Sequence, residues 1–317
     1  MSNTPSVGPH LRIVGDDPRE QFLARLFDRL WDRYRQRVAY VRDYEQLVRS
    51  HNATFFNDHI ALRTIASQIP QTGIATISRI FIALGYRVAG TYQFPDKALD
   101  AVHLQHANPQ LPKVFISELQ LWSLPAVARE AILRAVRSHR LPVSDETLAQ
   151  IAECSDLPDE SRDQLLDRVV REFHELPWSL PERSDVEAVN KVSQYGAWVL
   201  VHGYNVNHFT SLINSHGCES LGDIDRTVAA LRAAGVPTKA EIEGAPGSRL
   251  RQTATEAVTI PVDVAEGGMC VQIPWTYAYF ELAERGDVTD PDTGSTGRFE
   301  GFLGPQATHL FEMTRKK

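Results

Sequence analysis

Two histidines, each central in an apolar strand-like stretch, and one glutamate in a late aromatic stretch are the residues whose types could hold a metal ion. His59 lies in Phe55-Phe56-Asn57-Asp58-His59-Ile60-Ala61-Leu62-Arg63-Thr64-Ile65, and His208 in Tyr204-Asn205-Val206-Asn207-His208-Phe209-Thr210-Ser211-Leu212-Ile213. Glu281 falls in Tyr277-Ala278-Tyr279-Phe280-Glu281-Leu282. A carboxylate buried without a partner is costly, so Glu281 requires a cation or a strong donor. Arg285 is the ordinary candidate and a metal ion the functional one. Two imidazoles and a carboxylate on one side make the facial set of non-haem Fe(II) oxygenases. Mn(II), Co(II) or Zn(II) would bind the same set, and residue types do not choose among them. A single strand histidine among the 11 in the chain would carry little weight; the matching surroundings of these two carry more.

Other side chains could complete such a site. Strand residues two and four apart share a face, so His59, Ala61 and Arg63 point the same way. Near a metal, the planar fork of Arg63 suits a substrate carboxylate; a surface salt bridge is the alternative. Glu118, in Phe115-Ile116-Ser117-Glu118-Leu119, takes the place in the first half that corresponds to Glu281. It is read as a fourth ligand, an acceptor behind the ligands, or a relic of duplication. The polar run Ser248–Thr255 either lines the cavity, with Arg251 and Thr253 as substrate contacts, or faces water as an edge strand. The Gly-flanked aromatic run Gly301–Glu312 is a lid or ordinary packing. His103, His106, His174, His202 and His216 receive no role.

Positioning these residues falls to a repeated pattern. Residues Arg19–Ser50 read as helix, Phe55–Ile65 as a strand, and Ile74–Leu84 as a helix stopped by Gly85. Strands are expected at Tyr86–Tyr92, Ala101–His106 and Lys113–Leu119, which makes a β-α-β-β-β order. From Pro125 to Trp178, after a Ser123 cap, short helices form an insert, and a further helix runs from Asp185 to His202. The first pattern then returns: the His208 strand, a helix at Ile224–Ala234 ending at Gly235, and strand-like stretches at Arg249–Val258 and Met269–Leu282. His59 precedes Gly85 by 26 residues, and His208 precedes Gly235 by 27. The expected fold is α+β, with two βαβββ modules side by side enclosing a shared metal cavity. Its divisions are a flexible start (1–18), a helix with the first module (19–122), the helical insert (123–202), and the second module with a C-terminal lid (203–317).

Bulk properties exclude several classes. With 33 Lys and Arg scattered among 40 Asp and Glu, a formal charge of −7 and no basic run, a nucleic-acid partner has no support. No apolar run approaches the roughly 20 residues that a membrane span requires. The start is polar, without the apolar core of a secretory signal. Cys154, Cys218 and Cys270 are sparse and far apart, which suits a reducing compartment, and a cytoplasmic location is expected. A homo-oligomer is left open.

With these residues in hand, the chain resembles the 2-oxoadipate dioxygenase/decarboxylase (hydroxyglutarate synthase) family of the vicinal-oxygen-chelate superfamily, which is built from paired, glyoxalase-like βαβββ units. The resemblance rests on Asn57–Thr64, Gly203–Thr210, Leu250–Thr253 and Tyr279–Arg285, and the closing Phe299–Phe302 and Leu310–Glu312 match in character. It implies Fe(II) held by His59, His208 and Glu281, and a substrate carboxylate taken by Arg63. The implied reaction turns 2-oxoadipate and O₂ into 2-hydroxyglutarate and CO₂ in lysine breakdown. Without the family, a glyoxalase-like metal-dependent lyase, isomerase or hydrolase, or a non-catalytic small-ligand module, would fit the same residues. The chain is shorter than the longer members, and their C-terminal substrate contacts have no match here, so the length of the preferred 2-oxo acid stays open.

Overall fold

The structure is a computed structural model that describes residues 9–140, 143–289, 291 and 294–303. The start of the chain is fastened from residue 9: His10 is buried and lies 2.8 Å from Asp28. The long helix expected over 19–50 is two, α1 (Pro18–Arg37) and α2 (Tyr40–Ser50). Asp17 caps α1 by accepting from the Arg19 and Glu20 amides, and Pro18 takes its first turn.

Seven strands form one mixed sheet in the order β2-β3-β4-β1-β5-β9-β6. The first module is β1 (Phe56–Ala66), α3 (Ile74–Ala83), β2 (Arg87–Phe94), β3 (Leu99–Gln105) and β4 (Lys113–Gln120). The second is β5 (Val206–Leu212), α9 (Ile224–Ala233), β6 (Leu250–Ala254) and β9 (Glu281–Arg285). Its counterpart of β2 survives only as two isolated bridges, Thr238 to Thr255 and Glu243 to Gln252. The halves join where β1 runs antiparallel to β5, while β1–β4 and β5–β9 are both parallel. The repeat expected from the sequence therefore appears as a two-fold pattern about the β1–β5 seam.

The stretch read as one strand from Met269 to Leu282 is broken. β7 (Thr259–Glu266) and β8 (Met269–Thr276) form a separate hairpin, and residues 277–280 are extended coil leading into β9. Between the modules, α4 (Ala126–Val136), α5 (Asp145–Ala152), α6 (Asp159–His174), α7 (Arg183–Asn190) and α8 (Gln194–His202) make the helical layer. The helix expected from Asp185 to His202 breaks before Ser193, whose hydroxyl caps α8 at the Gly196 amide.

One sheet face is covered by helices. Trp31 of α1 packs edge-on against Phe209 (5.0 Å between centroids) and Phe280 (6.0 Å). Phe209 alternates with His208 and Thr210 along β5, so these two point away from the helices. Cross-strand pairing carries that assignment over the sheet. His59 is opposite Lys113 and Thr210, Ala61 opposite Phe115 and His208, Arg63 opposite Ser117, and Thr210 opposite Glu281. All of these belong to the cavity face.

Candidate metal centre

His59 from β1, His208 from β5 and Glu281 from β9 each offer a ligand atom, and these atoms all lie within 4.8 Å of one another. His59 Nε2 is 3.6 Å from one Glu281 oxygen and His208 Nε2 is 3.4 Å from the other. All three side chains are buried.

A local irregularity in the strands aims both rings. Adjacent residues of a regular strand face opposite ways, yet Asp58 reaches His59 Nδ1 at 2.8 Å and Asn207 reaches His208 Nδ1 at 3.0 Å. The β1–β5 register shifts between Asn57 and His59 and again between Ala61 and Leu62, so Asp58 and Asn207 each fall at a bulge. A carboxylate can only accept, so the His59 Nδ1–H donates to Asp58; the Asn207 amide oxygen likewise accepts from His208. Each imidazole is thereby held as the tautomer with its Nε2 lone pair turned inward. The Thr210 hydroxyl lies 3.0 Å from His59 Nε2.

Electrostatics favour a cation among these groups. Burial lowers both histidine pKa values; His59 and Arg63 add to the fall at His208, whereas Asp58 opposes it at His59. Burial raises the Glu281 pKa well above the usual range, and Glu243 and Asp58 push the same way. Neither Glu281 oxygen accepts a hydrogen bond from a described residue, although the Thr210 hydroxyl is close enough to ease its ionisation. Arg285, the alternative partner, is engaged elsewhere: it forks onto Asp58 at 2.5 and 2.7 Å. Burial alone would raise the Asp58 pKa, but Arg285 and Lys113 hold it well below the ordinary value. A buried, orphaned carboxylate beside two inward lone pairs is what a divalent ion would complete.

Beside this cluster a small pocket is lined by Ala61, Arg63, Phe115, Ser117, Asn207, Tyr279 and Phe302 together with the two histidines. Arg63 thus lies on the face its spacing required. Phe302 covers the far side, its ring 4.9 Å from that of His59 and 5.1 Å from that of Phe115. Arg285 holds that stretch by donating to the carbonyls of Phe299 and Gly301 at 3.0 and 2.8 Å. Beyond residue 303 the expected lid, Leu310–Glu312 included, lies outside the described residues.

Arg251 and Thr253 are not brought to the cavity. On β6, Gln252 and Ala254 are opposite Ala283 and Glu281, so Arg251 and Thr253 take the helix face. Arg251 forks onto Asp225 of α9 at 2.7 and 3.2 Å, and Thr253 donates to the Glu241 carbonyl. Glu118 also leaves the site. Its Oε2 accepts from the Ile74 amide at 2.7 Å, capping α3, and a side chain at Gly73 would meet that oxygen at 2.5 Å. Glu284 accepts from the Ile224 amide of α9 at the same distance. Glu118 therefore corresponds to Glu284, and the place equivalent to Glu281 is filled by Phe115. Sequence reasoning missed Asp58 and Asn207, although an Asx residue before each candidate histidine was visible, and it missed Glu243 and Tyr279. His103, given no role, abuts Phe302 at 5.2 Å.

Comparison with known proteins agrees with this architecture. The family model described as 2-oxoadipate dioxygenase/decarboxylase matches residues 26–296. A chloroplastic enzyme of that name from Arabidopsis thaliana is 25% identical over 333 residues, spanning 99% of this chain and 82% of its own. A rice relative of that name is 27% identical over 290 residues, spanning 85% and 72%. Among solved structures, a glyoxalase-superfamily protein from Ralstonia eutropha superposes with a TM-score of 0.77 at 23% identity, over 90% of this chain and 86% of that one. Hydroxyglutarate synthase of Oryza sativa in complex with 2-oxoadipate gives 0.74 at 21% identity, over 99% and 97%. The α+β, glyoxalase-like fold of two modules is thereby shown.

Proposed function

The chain belongs to the 2-oxoadipate dioxygenase/decarboxylase family, and from that premise we propose that it converts 2-oxoadipate or a close homologue, with O₂, to 2-hydroxyglutarate and CO₂. Fe(II) is the proposed ion, and His59, His208 and Glu281 are its proposed ligands. The reaction balances without an outside reductant, because decarboxylation and C–H hydroxylation together supply the electrons that dioxygen takes up. Lysine breakdown is the proposed setting. A cytoplasmic location belongs to the same reading, supported by three cysteines that stand as free thiols.

The observation that carries the proposal is Glu281: buried, without a hydrogen-bond donor among the described residues, and facing two imidazoles whose lone pairs converge on it. Held by His59, His208 and Glu281, Fe(II) would supply redox chemistry and coordination positions not taken by the protein. The residues of the chain do the rest. Arg63 offers a desolvated, planar cation to a substrate carboxylate. Phe115 and Phe302 exclude water from the reacting end, and the Asp58 and Asn207 acceptors fix the imidazole tautomers.

Oxygen uptake tests the proposal. Fe(II)-loaded protein should consume O₂ on addition of 2-oxoadipate and release one CO₂ per O₂. His208→Ala should lose both metal retention and turnover while keeping its circular dichroism. Turnover by that variant at the parent rate would defeat the assignment of the site.

A further inference from the structure

Helix α8, which closes the insert, is buried from Tyr195 through His202, and two of its rings lie over the Arg63 guanidinium. Arg63 Cζ is 5.0 Å from the Tyr195 ring centroid and 5.2 Å from that of Trp198. Three residues apart, the two aromatics share one helix face. Each ring is anchored in a different module. The Tyr195 hydroxyl donates to the Ser117 carbonyl of β4 at 2.7 Å and lies 2.8 Å from the Ser117 hydroxyl. Trp198 donates its indole N–H to the Tyr277 carbonyl at 2.6 Å, four residues before Glu281. One short helix thus fixes Arg63 relative to both halves of the metal cluster.

We propose that Tyr195 and Trp198 are positioning residues that aim the Arg63 guanidinium at a carboxylate of the bound 2-oxo acid, and that α8 thereby sets the acid length the cavity accepts. The inference rests on the function proposed above. Its physics is that a long side chain loses rotamer freedom when it grips a ligand, a loss that lowers affinity unless the chain is already held. Ring faces around a desolvated guanidinium attract it without themselves occupying its N–H donors, and Arg63 is one of the residues that line the cavity. An aliphatic residue of similar bulk would fill the space but remove the ring's attraction for the cation.

Steady-state kinetics and anaerobic calorimetry with 2-oxoadipate and 2-oxoglutarate test this. Trp198→Leu should raise KM and Kd for 2-oxoadipate about tenfold, leave kcat within about twofold, and leave metal content unchanged. Its preference for 2-oxoadipate over 2-oxoglutarate should fall by a similar factor, and Trp198→Phe, which restores a ring face, should recover most of both. Tyr195→Phe covers the case in which leucine at 198 prevents folding. It keeps the ring, removes the hydroxyl's bonds to Ser117 and the Thr64 amide, and should raise KM about threefold while lowering the melting temperature by several degrees. Folded variants with parental KM, Kd and length preference overturn the positioning role alone. Parent protein that neither binds nor consumes 2-oxoadipate overturns the functional reading, and this inference with it.

Discussion

Each candidate ligand histidine depends on its preceding residue, and the two halves differ there. Asp58 behind His59 is ionised, forked by Arg285 and within 4.0 Å of Lys113. Asn207 behind His208 is a neutral amide. A carboxylate acceptor makes an imidazole a stronger donor to a metal than an amide does, and such partners typically change metal affinity by about 10–100-fold. Asp58→Asn should preserve the His59 tautomer, because an amide oxygen can still accept from Nδ1. It should weaken metal binding about tenfold in chelator competition. It also leaves the buried Arg285 without its main counter-charge, which should cost about 3 kcal/mol in denaturant unfolding. Parental metal affinity in this variant would reduce Asp58 to a structural role.

Among the elements, the strongest evidence of duplication is a pair of carboxylates far from the chemistry. Glu118 caps α3 and Glu284 caps α9, each receiving the first amide of its helix. A side chain accepting such an otherwise unpaired amide is worth about 1 kcal/mol. Glu118→Ala should therefore lower the melting temperature by a few degrees and leave metal stoichiometry and KM unchanged. Loss of bound metal in that variant would return Glu118 to the site. The reading of Glu118 as the counterpart of Glu281 failed by three residues. Three is odd, so Glu118 lies on the helix face rather than the cavity face, and nothing local to Phe115–Leu119 shows that Phe115 is the residue that pairs with Ala61. Arg251 and Thr253 failed for the same reason: they have the right chemistry but a parity that only pairing with β9 reveals.

For the molecule as a whole, both modules contribute candidate ligands, His59 from the first and His208 with Glu281 from the second, so the cluster assembles only when the β1–β5 seam has formed. The insert brings its own liability. Glu172 on α6 is buried, one of its oxygens has no partner among the described residues, and its pKa is pushed up to about 8 by burial, against a smaller opposing effect of the Val143 amide. The folded chain keeps a proton here that the unfolded chain releases above its ordinary value of 4.5. The stability this group confers is therefore complete below that pH and drains away as pH rises toward about 8. Glu172→Gln should raise the melting temperature more at pH 8 than at pH 5, relative to the parent at each pH. An equal change at both would remove Glu172 from the pH response.

The sequence by itself determined the kinds of residue available, the duplicated β-α-β-β-β order, the two histidines at matching places, and the face shared by His59 and Arg63. These follow from period, spacing and turn chemistry, which are local. Tertiary structure alone decided that Arg285 serves Asp58 rather than Glu281, that Arg251 turns toward α9, and that α8 places Tyr195 and Trp198 over Arg63. Each of those outcomes is a contact between segments more than 25 residues apart. Such contacts depend on register, and register is settled by pairing across the sheet rather than by any one stretch of chain.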